Sequence, residues 1–160
     1  MIAADLKEKL RKEIRKAETP REKAVDVMVE LQKVYGWMTD EAMGEASELL
    51  GMTLTELEEL TTFYNFIFRE PVGKYVIHVC DSVVCWMNGY QALLDHLKDR
   101  LGIEMGETTS DNLFTLLPDC CIGYCDRAPA MLINRRVQGN LTPEKIDTII
   151  DQIRAGEPKS

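Results

Sequence analysis

Arg69-Glu70-Pro71-Val72-Gly73-Lys74-Tyr75-Val76-Ile77-His78-Val79-Cys80 divides the chain. Pro71 and Gly73 punctuate it as a turn or linker. Beyond them, Tyr75 to Cys80 is rich in β-branched and aromatic residues and predicts a strand. On the N-terminal side the apolar residues recur at helical spacing instead. The same stretch also ends on the first cysteine of the chain, because residues 1–79 contain none. A change of hydrophobic period that coincides with a change in composition predicts two domains, 1–70 and 71–160.

Residues 1–70 predict a bundle of four helices. The first runs from about Asp5 to Lys16. Thr19-Pro20-Arg21-Glu22 is a capping box with proline at the first helical position. It opens a helix to about Tyr35, with Val27, Leu31 and Val34 on one stripe and Gly36 at its end. Thr39 caps a third, Asp40 to Leu50. Thr53-Leu54-Thr55-Glu56 is a second capping box, followed by Leu57, Leu60 and Tyr64. Trp37, Tyr64 and Phe66 are expected in the core of this bundle rather than on a partner face.

Residues 71–160 predict a small α/β sandwich: strand 75–80, helix 88–101, strand 113–117 stopped by Pro118, strand 130–133, a short fourth strand near Val137, and a last helix opened by Thr142-Pro143-Glu144. The expected fold class is therefore α+β, a helical bundle followed by an α/β domain.

Composition narrows the function. The 160 residues carry 19 Lys and Arg against 27 Asp and Glu, net −8. Residues 1–70 hold ten basic and fifteen acidic groups, the remainder nine and twelve. Neither half offers the basic face that nucleic acid requires. No apolar run approaches the roughly 18 residues that cross a bilayer, and no secretory signal core is visible, so no direct membrane insertion is expected. There is no Gly-x-Gly-x-x-Gly fingerprint after a strand and no P-loop, so nothing marks a nucleotide site of the chain's own.

The chemistry lies in the five cysteines, Cys80, Cys85, Cys120, Cys121 and Cys125. An odd number fits a closed disulfide set poorly. Cys80 to Cys85 is C-x4-C and Cys121 to Cys125 is C-x3-C, each in the loop leaving a predicted strand. Zinc knuckles and thioredoxin-type dithiols both prefer the tighter C-x2-C. A 2Fe–2S core takes two thiolates on each iron, and longer loops can wrap around its bridging sulfides. The spacing favours this third reading over the zinc site and the dithiol. Such an anionic core is stabilised by backbone N–H groups, which loops 81–84 and 122–124 can supply, with Gly123 permitting a left-handed turn. The N-terminus of the helix near Asn88 is expected to add favourable partial charge, and Arg127 is the nearest cation in sequence. Neighbours at a strand end face opposite ways, so Cys121 is expected to point at the site and Cys120 to be a small buried residue. His78 and His96 do not match Rieske-type ligand loops and are expected to be ordinary.

Cys80-Asp-Ser-Val-Val-Cys85, Asn88-Gly89-Tyr90, Leu116-Leu117-Pro118-Asp119-Cys120-Cys121-Ile122-Gly123-Tyr124-Cys125 and Ala128-Pro129 resemble the family of the E subunit of bacterial NADH:quinone oxidoreductase, respiratory complex I. Thr61-Thr62-Phe63-Tyr64-Asn65-Phe66-Ile67-Phe68 with Pro71-Val72-Gly73 is similar to its junction between helical and α/β parts. The resemblance implies a thioredoxin-like ferredoxin domain holding one 2Fe–2S cluster on Cys80, Cys85, Cys121 and Cys125. It implies that the N-terminal helices pack on a flavoprotein subunit that binds FMN and NADH, beside other iron–sulfur subunits of a peripheral arm. It further implies a cytoplasmic location in a complex associated with the inner (plasma) membrane. The implied role is electron exchange with reduced flavin at a low potential, to the side of the main wire to quinone, for storage or for limiting the lifetime of the flavin radical. NAD-linked hydrogenase and formate dehydrogenase subunits share the motif and are the alternative setting; a zinc-stabilised interaction module and a free thiol oxidoreductase are the alternatives outside electron transfer.

Overall fold

A computed structural model describes residues 2–156. The chain divides into two compact units, with the boundary between Pro71 and Val72. The first contains α1 (Ala4–Ile14), α2 (Ala24–Tyr35), α3 (Asp40–Leu50) and α4 (Leu54–Phe63). The second contains β1 (Tyr75–Cys80), α5 (Val83–Met87), α6 (Tyr90–Leu101), β2 (Phe114–Asp119), β3 (Met131–Ile133), β4 (Arg136–Gln138) and α7 (Pro143–Arg154).

In the first unit Val27, Met28 and Leu31 of α2, Ala42, Met43 and Ala46 of α3 and Leu57 of α4 close one apolar core. The Thr39 hydroxyl caps α3 by accepting from the Ala42 N–H at 3.1 Å. Thr53 and Glu56 form the reciprocal box at the start of α4. The Thr19–Glu22 box is present too, but it opens a 3-10 turn, Pro20–Lys23, which then feeds α2. The segment after α4 is fastened back by side chains. Gln32 Nε2 donates to the Phe66 carbonyl at 2.9 Å while Gln32 Oε1 accepts from the Phe68 N–H at 2.7 Å. The Arg69 guanidinium bridges Glu58 and Asp40 and donates to the Met38 carbonyl. Burying the bundle stripe does not consume every apolar residue: Val34, Leu54 and Phe66 are exposed, and Trp37 and Tyr64 only half-buried. Phe66 departs from the expected core position because Gln32 fixes its backbone at the margin of the bundle.

The second unit is a four-stranded sheet in the order β2-β1-β3-β4. β1 and β2 are parallel, and β3 and β4 follow antiparallel. Ile77, Leu97, Phe114, Leu116, Ile146 and Ile149 form its core with α6 and α7; each is worth about 1.5–3 kcal/mol when fully buried. Alternation along β1 puts Ile77 and Val79 on the side of this core and Val76, His78 and Cys80 on the other. Two expectations change here. Pro118 does not stop β2 but lies within it, opposite Val79. β2 is the edge strand, where a missing N–H costs no ladder bond. The loop expected between Cys80 and Cys85 carries a further helix, α5, while the helix expected over 88–101 is α6, the two separated at Asn88-Gly89, where Gly89 takes φ 94°.

Candidate metal centre

β1 delivers Cys80 at its C-terminal end, buried. The Cys80 N–H donates to the Ala130 carbonyl at 3.2 Å, and the Asp81 N–H to the Asp119 carbonyl at 3.0 Å. The chain then turns through Ser82, the N-cap of α5, and α5 carries Cys85 back beside Cys80. Both thiols are buried with Ala130, and Ile122, Tyr124 and Ala128 pack on them. The C-x4-C loop is thus a single helical turn. The sequence signal for it was Ser82, a favoured N-cap residue before Val83-Val84.

The other half comes from the loop after β2. Cys121 and Cys125 are exposed, and their Sγ atoms lie 3.5 Å apart. Two thiolates about 2.3 Å from one tetrahedral metal sit about 3.8 Å apart, so this pair is near the bite one metal ion needs. The first loop approaches the second directly, with Cys80 Sγ 3.1 Å from the Cys120 carbonyl oxygen. Cys80 and Cys125 are within electrostatic reach of each other, as are Cys85 and Cys125. All four expected sulfurs therefore gather in one region, as a buried pair and an exposed pair. Among the described residues no group of three or more His, Cys, Asp or Glu side chains forms a cage for one ion.

Backbone N–H groups meet two of these sulfurs. Gly123, at φ 75°, lets its N–H reach Cys121. That bond, with help from Cys125 and Ser82, holds the Cys121 thiol below its ordinary range. The Ala130 N–H serves Cys85 in the same way, yet burial and the neighbouring Cys80 push that thiol up to about 11. Cys125 is also raised, by its hydrogen bond with Cys121. Ala130 was not legible as a donor, because a backbone N–H leaves no mark in the residue type. The helix expected to begin near Asn88 is α6, which begins at Tyr90.

Cys120 departs from its expected burial. It is exposed, and only its carbonyl faces the site. The alternation rule does not reach it, because β2 ends at Asp119 and residues 120 and 121 are already in the loop. His78 is buried on β1 with Nδ1 3.9 Å from Asp119 Oδ2, and burial lowers its pKa. His96 lies on α6 with Nε2 3.0 Å from Asp147 Oδ1 of α7. Arg127 stacks its guanidinium 5.4 Å from the Tyr124 ring centre and lies 3.7 Å from Asp126. The loop is braced from outside: the Asn140 N–H donates to the Arg127 carbonyl at 2.6 Å, and the Leu141 N–H to the Pro129 carbonyl at 3.1 Å. The Ala128–Pro129 peptide is cis.

The donor set fits a 2Fe–2S core: four thiols in two pairs, with N–H donors beside them. Comparison with known proteins gives the family. The profile of the family "Thioredoxin-like [2Fe-2S] ferredoxin" matches residues 10–154. The E subunit of NADH-quinone oxidoreductase from Escherichia coli (strain K12) is 40% identical over 153 residues, 96% of this chain and 92% of that protein. Its counterpart from Pseudomonas aeruginosa is 40% identical over 134 residues, 84% of this chain and 81% of that one. Among solved structures, an air-oxidized NAD+-reducing [NiFe]-hydrogenase superposes with a TM-score of 0.71 at 32% identity, over 82% of this chain and 23% of the longer hydrogenase chain. This chain belongs to the thioredoxin-like 2Fe–2S ferredoxin family, and to the family of the E subunits of NADH-quinone oxidoreductase that it matches over nearly its whole length.

Proposed function

We propose that the chain carries one 2Fe–2S cluster on Cys80, Cys85, Cys121 and Cys125, and serves as a non-catalytic electron-carrying subunit of an NADH:quinone oxidoreductase. Its partner in this reading is a flavoprotein subunit that binds FMN and NADH, beside other iron–sulfur subunits of a peripheral arm. The helical unit, residues 1–70 in the sequence division, docks on that assembly. The complex stands on the cytoplasmic side of the membrane. Among the described residues no helix is long and apolar enough to cross one.

The observation that carries the reading is the approach of two loops 40 residues apart, with Cys80 Sγ 3.1 Å from the Cys120 carbonyl oxygen and the Cys121–Cys125 pair beside them. When bound, the cluster supplies a one-electron store. The chain's own residues set its position and potential. Four thiolates make the centre electron-rich, as in plant-type centres near roughly −400 mV. The Gly123 and Ala130 N–H groups pull the other way by stabilising negative charge on sulfur. Burial of Cys80 and Cys85 beneath Ile122 and Tyr124 keeps water from that half.

A second setting, the equivalent subunit of an NAD-linked hydrogenase, is favoured by the 0.71 superposition on the NAD+-reducing enzyme. The quinone-linked setting is preferred because the identity there is 40% with 92% of the relative covered, against 32% and 23%.

Anaerobic purification of the full chain tests the cluster: about two irons and two sulfides per chain and a rhombic EPR signal on reduction are expected. A colourless protein retaining one zinc would refute it. A pull-down from native extract tests the setting, through the flavin-containing subunit it captures and whether quinone reductase or hydrogenase activity comes with it.

A further inference from the structure

Of the ten glycines, only Gly73 and Gly139 have a neighbour from elsewhere in the chain within 4 Å of the place a Cβ would take. Gly139 is buried and follows β4 directly. A Cβ there would stand 2.6 Å from Tyr124 Cε1, 2.8 Å from Arg127 Cβ and 2.8 Å from the Arg127 carbonyl oxygen. Carbon atoms in contact sit about 3.5–4.0 Å apart, so these distances are overlaps. Gly139 is not among the glycines with positive φ, so space and not backbone conformation excludes a side chain.

What fills that space belongs to the metal centre. Tyr124 lies between Cys121 and Cys125 in the chain, yet it packs on the other pair, the buried Cys80 and Cys85. Its ring has Gly139 at one edge and the Arg127 guanidinium 5.4 Å from its centre. The two segments are also fastened together. The Asn140 N–H donates to the Arg127 carbonyl at 2.6 Å and the Leu141 N–H to the Pro129 carbonyl at 3.1 Å. Lys145 Nζ of α7 donates to the Gly139 carbonyl and holds that segment from behind. A Cβ at 139 would therefore meet a ring and a backbone carbonyl that are held close, and one or both must move outward. Cys121 and Cys125, by contrast, are exposed already.

We propose that Gly139 is a positioning residue of this centre: by having no side chain it seats the Tyr124 ring on Cys80 and Cys85 and closes the buried half of the site to water, oxidants and chelators. This rests on the proposed function, in which those sulfurs hold iron, and it adds a residue outside both cysteine loops that governs how long the bound cluster survives. Displacing the ring opens a path to Cys85 without changing any of the four cysteines.

The test uses the full chain, first metal-free and then loaded. Gly73→Ala is the control, because its Cβ overlaps backbone at 2.9 Å in the same unit but at the start of β2. Iodoacetamide labelling of Cys85 in the metal-free chain is expected to be about tenfold or more faster in Gly139→Ala than in Gly73→Ala, with urea adjusted to give both the same stability; tenfold corresponds to about 1.4 kcal/mol of easier opening. In the loaded chain the starting visible spectrum is expected to match wild type, and bleaching by an iron chelator in air to be faster by a similar factor. Tyr124→Leu is expected to speed labelling too, and Gly139→Ala to add clearly less on top of it, since both act on one ring. Equal labelling of Cys85 in Gly139→Ala and Gly73→Ala overturns the proposal, because the effect is then general loosening. Full additivity of the Gly139 and Tyr124 changes overturns it as well. A wild-type chain that holds no iron overturns the functional reading and the protective role with it, while Cys85 labelling decides separately whether Gly139 seats the ring. Should Gly139→Ala fail to fold, the double variant with Tyr124→Leu decides: recovery of the fold supports the seat, and no recovery overturns it.

Discussion

Cys80 Sγ lies 3.1 Å from the carbonyl oxygen of Cys120, the residue just before the second pair of sulfurs. A thiol can donate to that oxygen; a metal-bound thiolate cannot. The contact therefore characterises the protonated site, and in the proposed cluster it would give way to a bond from sulfur to metal. It also shows what Cys120 contributes, which is backbone.

From this follows the first prediction. Cys120→Ala keeps the carbonyl and removes only an exposed thiol, so it is expected to retain full iron content and the wild-type visible spectrum. Cys121→Ala removes a sulfur 3.5 Å from Cys125 and is expected to abolish both. Iron analysis of the two purified variants checks this, and the opposite result would move the ligand register by one residue.

Gly73 touches the strand that leads to the site. A Cβ there would stand 2.9 Å from both the Phe114 C and N atoms, which are backbone and cannot swing away. The Gly73 N–H also donates to Thr115 Oγ1 at 2.6 Å. Gly73→Ala is expected to destabilise the chain by about 1–3 kcal/mol, the cost of overpacking a fixed contact. Urea unfolding of the variant against wild type measures it, and a change under about 0.5 kcal/mol, the usual range for harmless surface substitutions, would contradict it.

Much of this was legible because the signals were local. Thr39, Thr53-Glu56 and Thr142-Pro143 cap helices where their chemistry says they should. Tyr75–Cys80 is a strand over the whole stretch that predicted it. What was illegible depended on tertiary position. Pro118 reads as a strand breaker until β2 is known to be the edge. Val34 and Leu54 sit at helical spacing yet face outward, because a stripe wider than the core leaves its margins in water. At the site, Gly123 was legible as the left-handed residue of a loop expected to supply N–H groups, whereas Ala130 acts through an N–H that every residue but proline possesses.

The thiols of the metal-free chain should differ in reactivity. Cys121 is exposed and held below the ordinary range by the Gly123 N–H. Cys85 is buried and raised to about 11. The thiolate is the nucleophile, so iodoacetamide near neutral pH is expected to label Cys121 well before Cys85. Timed quenching and peptide mass spectrometry read the order, and early labelling of Cys85 would contradict the burial that raises it. Gly123→Ala, strained at φ 75°, is expected to slow Cys121 by disturbing the turn that positions its donor.

The same raised thiol makes the metal-free fold sensitive to alkali. Burial, with the adjacent Cys80 thiol, favours neutral Cys85 and lifts its pKa from 9.0 to about 11. A folded-state pKa above the unfolded value means that the unfolded chain releases its proton first as pH rises. The contribution of Cys85 is therefore complete below pH 9 and disappears as pH climbs through 11. Melting of the metal-free chain is expected to move to lower temperature across that window. In Cys85→Ala, which has no proton to lose there, the decline should be shallower, while the same variant fails to hold iron. Parallel slopes for the two proteins would mean that Cys85 is no better shielded in the fold than in the open chain.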